Sequence, residues 1–414
     1  MKKFLLLACL LFLFCPTAVK AESFSLTLET SASIGLSNTV VSENSSSSSD
    51  EELIEDLEEN VASQLDDLDF SSLDEVLKSF TDGQIAIFGG SSFLEKISSL
   101  IAGEYNDSSS LWQAVLDCFL SSVLGLLPMI SAIIGVSILG SMLQGIRPST
   151  NGKSMANIIN FVSYGIVVVL LLSLVSQMLV STTNTIVSLK NQMDAIFPIL
   201  LTLLTAMGGT VSASIYQPAM AVLSNIIGSI ATYVLLPLFI FIVVFTIVSN
   251  LSSTVKLEKF SSFLSSAYKW VTGLVFTIFT AFISLQGISA GSVDGISIRT
   301  AKFAIRSYVP LVGSYISDGM GIILASSNLI KNAVGVAGLF LLLASILSPL
   351  LDLIVFMLAL KLIAGIVEPL GNKQIASFAS SLSKCMVLLI SLIIALSFVY
   401  FIMLGLVMCS ANIF

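Results

Sequence analysis

The polar residues best placed to do chemistry lie in one stretch of the C-terminal third, SSNLIKNAVGVAG. It places Asn328, Lys331, Gly335 and Gly338 at steps of three and four, with Asn332 beside them. On a helix, this spacing forms one small and polar stripe. In lipid, such a stripe must face protein or water. We interpret it first as a helix-packing surface; the alternative is the wall of a conducting path.

Two further ionisable residues, Lys361 and Glu368, interrupt the apolar region that follows. Seven residues apart, they share a helix face but lie about 10.5 Å apart along its axis, too far for direct pairing. We interpret Glu368 as marking a membrane edge and Lys361 as extending its ammonium toward the interface. The alternative is that both line a polar interior.

The composition argues against catalysis. The chain has no histidine, which excludes Ser-His-Asp and Cys-His catalysis and any His-ligated metal site. None of its five cysteines has metal-binding spacing, and no Walker A pattern is present. We therefore expect no enzyme activity, no metal and no cofactor.

Lipid must be the solvent for most of the chain. Of its 414 residues, 55% are hydrophobic and only 11% are charged, against about 25% charged in average soluble domains. Because about 20 apolar residues cross a bilayer as a helix, we expect about seven spans. The candidates are 118–143, 157–180, 219–248, 271–285, 333–349, 350–367 and 385–408.

The predicted fold is an all-α polytopic membrane protein with a small acidic, helical, extracytoplasmic N-terminal region. Residues 1–21 resemble a signal peptide, with a basic start, an apolar core and small residues at the cleavage site. Residues 22–49 are predicted to be a flexible Ser-rich linker, and 50–110 an acidic helical region. Residues 111–414 are predicted to be the transmembrane domain.

The acidic region argues against nucleic-acid binding. Between Glu22 and Asp117, twenty acidic residues face only two lysines, whereas a nucleic-acid interface needs a basic patch. Within the region, Ser72 and Glu75 have capping-box spacing, and GQIAIFGGSS is interpreted as a turn. We expect either a docking surface for partner proteins or a charged face packed on the chain's own loops.

The basic residues of the loops bear on topology. With the N-terminal region outside, the first span brings Arg147 and Lys153 inward, as the positive-inside rule requires. Lys256, Lys259 and Lys269 also face inward if 195–207 re-enters the membrane rather than crossing it, so we favour re-entry. The bases Arg299, Lys302 and Arg306 then lie outside, unless a further segment crosses. Prolines within the apolar runs are expected to kink or break helices. They are Pro128, Pro198, Pro237 and Pro349.

From Lys269 onward the chain resembles the stage III sporulation protein AE family. The resemblance rests on KWVTGLVFTIFTAFISLQG, DGISIRTAKFAIRSYVPLVGSYISDG, SSNLIKNAVGVAG and KLIAGIVEPLGN. It implies a membrane subunit of a secretion-like channel between mother cell and forespore, needed for forespore development and late sigma-factor activity. The implied location is the mother-cell-derived membrane around the forespore, with the N-terminal region in the intermembrane space.

The resemblance also implies partners: other membrane proteins of the same sporulation operon and the forespore stage II protein Q. The ATPase of such an assembly is a separate subunit, which agrees with the missing Walker motif. Two other functions stay open. One is a stand-alone small-molecule permease with Asn328, Lys331 and Lys361 on the substrate path; the other is a structural membrane scaffold, and a homo-oligomer is compatible with each.

Overall fold

The computed structural model describes residues 48–90, 92–103, 108–145, 152–251, 257–308 and 313–410. The predicted signal peptide and nearly all of the predicted linker lie outside these residues. The chain divides into two units, Met1–Glu59 and Asn60–Phe414. Within the first unit only residues 48–59 are described, and they are helical.

Eleven α-helices and no strand are present in the described ranges, which confirms the all-α prediction. Four lie in the acidic N-terminal region: α1 (Ser48–Asp66), α2 (Ser71–Lys78), α3 (Asp82–Phe88) and α4 (Phe93–Ile101). The other seven are α5 (Ser108–Gly145), α6 (Gly152–Ala206), α7 (Thr210–Ile230), α8 (Leu236–Leu251), α9 (Glu258–Tyr308), α10 (Gly313–Val367) and α11 (Lys373–Cys409).

Six helical segments in the described residues are long and apolar enough to cross a membrane, rather than about seven. They are Leu111–Leu143, Phe161–Ala206, Thr210–Asn250, Glu258–Ile283, Gly319–Val367 and Lys373–Cys409. Two expectations are corrected. Residues 333–349 and 350–367 are one helix, and 195–207 does not re-enter because its residues to Ala206 continue α6.

The prolines do not break the helices as expected. Pro128, Pro198 and Pro349 lie inside α5, α6 and α10. A proline removes one backbone donor and costs about 3 kcal/mol in an isolated helix, but packing of a long apolar helix against its neighbours stabilises the helix around it. Pro237 differs, because a π-helical turn, Ala231–Leu235, separates α7 from α8 immediately before it.

Glycines in left-handed conformation make the tight turns that reverse the chain. Gly208, with φ of 82°, lies between α6 and α7, and Gly371, with φ of 89°, lies between α10 and α11. Glycine takes this conformation without the steric penalty of a Cβ atom. These two turns place consecutive long helices side by side in opposite directions.

At one end of the bundle lie the C-terminal ends of α5, α8 and α10 and the N-terminal ends of α6, α9 and α11. Asn372 donates a hydrogen bond to the Ser137 carbonyl (2.8 Å), and Gln374 donates one to the Asn250 carbonyl (2.8 Å). We call it the basic end, because the sequence places five bases in or next to its connections. They are Arg147, Lys153, Lys256, Lys259 and Lys373.

The longest helices exceed the thickness of a bilayer. The 49 residues of Gly319–Val367 extend about 73 Å, against about 30 Å of hydrocarbon. Along α10 the exposed large apolar side chains near the basic end are Leu358, Leu362 and Ile366, and among its described side chains only Ile323 is exposed elsewhere. Along this helix, lipid contact therefore falls on the half near the basic end, while the distal half is packed against other helices.

The helices of the acidic region pack directly on the bundle. Helices α3 and α4 contact α10, α3 contacts α5, and α2 contacts α6. Buried Lys96 of α4 places its ammonium 4.5 Å from the centre of the Phe340 ring of α10, a cation–π contact. Gln64 of α1 donates to Ser326 Oγ (2.8 Å) and accepts from Ser327 Oγ (2.7 Å).

Two local predictions for this region are wrong. The segment interpreted as a turn contains α3, whose first turn is closed by Thr81 and Gln84: the Thr81 amide donates to Gln84 Oε1 at 3.0 Å. Ser72 does not cap α2, because that helix begins at Ser71 with no side-chain cap. The capping-box pattern thus occurs one helix later, where Gln84 replaces the expected glutamate.

Candidate functional site

A polar cleft of about 1320 Å³ lies between α6, α10 and the short helices α2 and α3. Its α6 wall extends from Ser173 to Ala195, about 33 Å along the helix axis. This length is close to the hydrocarbon thickness of a bilayer. The cleft therefore extends from the lipid-facing half of the bundle into its distal half.

The wall formed by α6 is polar along one face. Its residues recur at steps of three and four, so they align on one side of the helix. The opposite face is apolar and buried, as at Met193 and Ile196. The polar lining residues of α6 are Ser173, Ser176, Gln177, Ser181, Asn184, Thr185, Ser188, Asn191 and Asp194.

The wall formed by α10 contains a carboxylate at membrane depth. Ser345, Ser348, Pro349 and Asp352 line the cleft on one helix face. Ser122 of α5 donates a 2.5 Å hydrogen bond to Asp352 Oδ1. An ionised carboxylate in a membrane span is costly unless it meets water or a polar partner, and Asp352 has both the cleft and the Ser122 hydroxyl.

Helices α2 and α3 cover the cleft from the third side. Glu75 of α2 and Ser79 directly after α2 line it, as do Thr81 and Gln84 at the start of α3. Both helices are held in place by their apolar faces, since Leu77 and Phe88 are buried. The acidic region thus supplies one wall of the cleft, which its sequence did not indicate.

The charges that line the cleft are all negative. Glu75, Asp194 and Asp352 are lining residues, and no lysine or arginine is among the described lining residues. Ser224 of α7 donates a hydrogen bond to Asp194 Oδ1 at 2.8 Å. The described residues contain no group of three or more Asp, Glu or Cys side chains able to hold a metal ion.

The two glycines of the 328–338 stripe lie at close helix contacts. A Cβ atom built on Gly335 would lie 2.5 Å from Met408 Cγ and Sδ of α11. One built on Gly338 would lie 3.1 Å from Ile196 Cδ1 of α6. Small residues at such positions let helix backbones approach. The stripe therefore faces α11 and α6 at these two positions, not the cleft.

Lys331 is fully buried and holds the end of α11. Its ammonium donates a 2.7 Å hydrogen bond to the backbone carbonyl of Ser410, whose hydroxyl lies 3.0 Å from the Tyr216 hydroxyl of α7. A cation near the carbonyl end of a helix is favoured by the helix dipole. Lys331 thus connects α10 to α11 and is not a lining residue of the cleft.

The other predicted residues are scattered. Asn328 is half-buried, and its buried Oδ1 has no hydrogen-bond partner among the described residues. Asn332 is half-buried, whereas Lys361 and Glu368 are exposed. None of the four is a lining residue of the cleft, so the structure does not assemble the predicted set into one site.

Sequence reasoning missed the polar face of α6. The signal was present, because Gln177, Ser181, Asn184 and Ser188 lie at steps of three and four between two apolar segments. It was hidden by the assumption that 157–180 and 195–207 are separate elements. Once α6 is continuous, its polar residues form one wall about six turns long.

These features define a class: a polytopic helical membrane protein with a polar, acidic cleft beside its spans and a helical region packed over it. A family model, Stage III sporulation protein AE, matches residues 91–411. The chain belongs to that family, as the sequence resemblance indicated.

A curated relative supports the assignment. Over 313 residues the chain is 26% identical to the stage III sporulation protein AE of Bacillus subtilis (strain 168). The aligned residues cover 75% of this chain and 78% of the relative. No solved structure matches the chain. The protein is therefore a membrane protein of sporulation.

Proposed function

We propose that the protein is a membrane subunit of a secretion-like channel between mother cell and forespore, required for forespore development and late sigma-factor activity. The observation that carries this proposal is the acidic cleft beside the membrane spans. A long polar surface within a membrane-spanning bundle is expected only where it meets water or a polar partner. A subunit that borders an aqueous path meets that condition.

The proposed orientation follows from the bases. The basic end carries Arg147, Lys153, Lys256, Lys259 and Lys373, and cytoplasmic ends of membrane proteins are enriched in such residues. We place this end in the mother-cell cytoplasm. The acidic region then lies in the intermembrane space, where a signal peptide in residues 1–21 delivers it, and six crossings return the C-terminus to the same side.

The proposed partners lie on that intermembrane side. They are the other membrane proteins of the sporulation operon and the forespore stage II protein Q. The proposed role involves no catalysis by this chain, and energy for transport is supplied by a separate ATPase subunit. The exposed carboxylates Asp66, Asp67 and Asp69, at the end of α1 and just after it, offer these partners a charged surface.

Deletion of the gene tests the proposal. Engulfment is expected to finish in the deletion strain, while late forespore gene expression and heat-resistant spores are lost. Expression of the chain from a second site provides the matched control and is expected to restore both. A deletion strain that forms normal, heat-resistant spores would refute the proposed role.

The cleft also favours a second candidate, a stand-alone small-molecule permease. Purified chain in liposomes separates the two functions. Solute flux without any partner protein supports the permease, whereas flux that appears only after the operon partners are added supports the channel subunit. Asp352→Asn is a useful variant in either case, because it alters a lining residue of the cleft.

A further inference from the structure

We propose that the cleft is a water-filled vestibule that admits small positively charged solutes and excludes anions. The inference rests on the proposed channel function, for which it names the solute class. The carboxylates of Glu75, Asp194 and Asp352 line the cleft, and no lysine or arginine lines it among the described residues. Charged walls of one sign raise the local concentration of the opposite ion.

The backbone adds further acceptors to both walls. Pro198 has no N–H, so the Asp194 carbonyl on α6 lacks its usual helix donor four residues on. Pro349 has the same effect on the Ser345 carbonyl of α10. Asp194 and Ser345 both line the cleft. Freed carbonyls beside cavities are a recurring source of cation ligands in membrane proteins.

A buried amide joins the two walls. Gln192 is fully buried, and its amide nitrogen donates to the hydroxyls of Ser188 (3.1 Å) and Ser345, which both line the cleft. Gln192 is not itself a lining residue, so it bears on the cleft by holding these two hydroxyls in place.

The side chains and the freed carbonyls therefore lead to one ligand chemistry. Carboxylates and carbonyls accept hydrogen bonds or bind cations, and hydroxyls do either. An anion finds only hydroxyl and amide donors here and is repelled by the three carboxylates. The vestibule is thus suited to monovalent metal ions and small ammonium compounds.

Cysteine labelling of the purified full-length chain tests this proposal without sporulation. Asn191→Cys and Ser348→Cys, each in a variant whose natural cysteines are replaced by alanine, place a thiol on opposite walls of the cleft. Two methanethiosulfonate reagents are compared, one with a trimethylammonium group and one with a sulfonate. Leu139→Cys, an exposed apolar position of α5 that does not line the cleft, is the matched lipid-facing control.

Both cleft thiols are expected to react faster with the cationic reagent, relative to a free thiol in solution. Asp194→Asn, three residues from Asn191 and therefore about 5–6 Å away, is expected to lower this preference about fivefold at 10 mM ionic strength. In 1 M salt the effect should nearly disappear. Glu75→Gln, an exposed substitution on α2, is a second variant if Asp194→Asn fails to fold.

Two results would overturn the inference. Cleft thiols that react no faster than Leu139→Cys show a dry cleft. Equal preference for both reagents, unchanged by Asp194→Asn, shows that the carboxylates do not select charge. Neither result bears on the deletion phenotype. A protein required for late forespore development can lack a cation-selective vestibule, so the two proposals fail independently.

Discussion

Gly335→Ala is the most direct test of how the bundle is packed. The new methyl group would lie 2.5 Å from Met408 Cγ and Sδ, about 1 Å inside the normal contact distance of carbon atoms. Gly365→Ala is the matched control, because it lies in the same helix and its Cβ would meet nothing within 4 Å. Both substitutions gain the same helix propensity, up to about 1 kcal/mol.

The two variants should therefore differ by the cost of crowding Met408. Overpacking a close contact costs about 1–3 kcal/mol. Gly365→Ala is expected to raise the free energy of unfolding by about 0.5–1 kcal/mol. The free energy of unfolding of Gly335→Ala is expected to lie about 1–3 kcal/mol below that of Gly365→Ala. Gly335→Ala should therefore be neutral or destabilising relative to the natural chain.

A double-mutant cycle assigns the effect to Met408. In a Met408→Ala background the clash is absent, and Gly335→Ala should become stabilising, with a coupling of about 1–3 kcal/mol. The free energy of unfolding is measured by SDS titration of the purified chain in mixed micelles, followed by fluorescence of Trp112 and Trp270. Equal effects at Gly335 and Gly365, or no dependence on Met408, would show that α10 and α11 do not meet at this position.

Three further predictions concern other contacts. Ser122→Ala removes the hydrogen-bond donor to Asp352 and should lower the free energy of unfolding by about 1.5–3 kcal/mol. Ser121→Ala, at an exposed position of α5, is the neutral control, and equal effects of the two substitutions would contradict the Ser122–Asp352 hydrogen bond. Gln64→Ala should speed proteolysis near the end of α1, and unchanged cleavage would contradict the Ser326 and Ser327 contacts. Burial lowers the pKa of Lys96 from its ordinary 10.5. Between the pKa of Lys96 in the folded state and about 10.5, the unfolded chain still holds the Lys96 proton that the folded chain has lost. The free energy of unfolding should therefore rise with pH up to about 10.5, and Lys96→Met should remove this rise.

The family and the helical class could be predicted from the sequence, because both follow from local information. Apolar runs of sufficient length predict membrane helices without knowledge of their neighbours. The positions of Gly335 and Gly338 indicated a packing surface for the same reason, since helical spacing alone aligns them. The identity of the facing residues, Met408 and Ile196, depends on which helices are neighbours and was not predictable.

The errors share one physical cause. Local rules treat proline as the end of a helix, so 333–349 and 350–367 were separated at Pro349, and 195–207 was separated from the rest of α6. Packing of these helices on their neighbours outweighs the lost hydrogen bond, and the helices continue. The span count fell from about seven to six for this reason.

The sequence by itself determined that lipid surrounds much of this protein, that its N-terminal region is acidic, and that it belongs to a sporulation family. Only the tertiary structure decided that Lys331 holds the end of α11, and that Glu75, Asp194 and Asp352 line one cleft. These residues are 119 and 158 positions apart in the chain. Composition and periodicity act over a few turns of helix, whereas a cavity is formed by the packing of distant helices, and no local pattern specifies which of them meet.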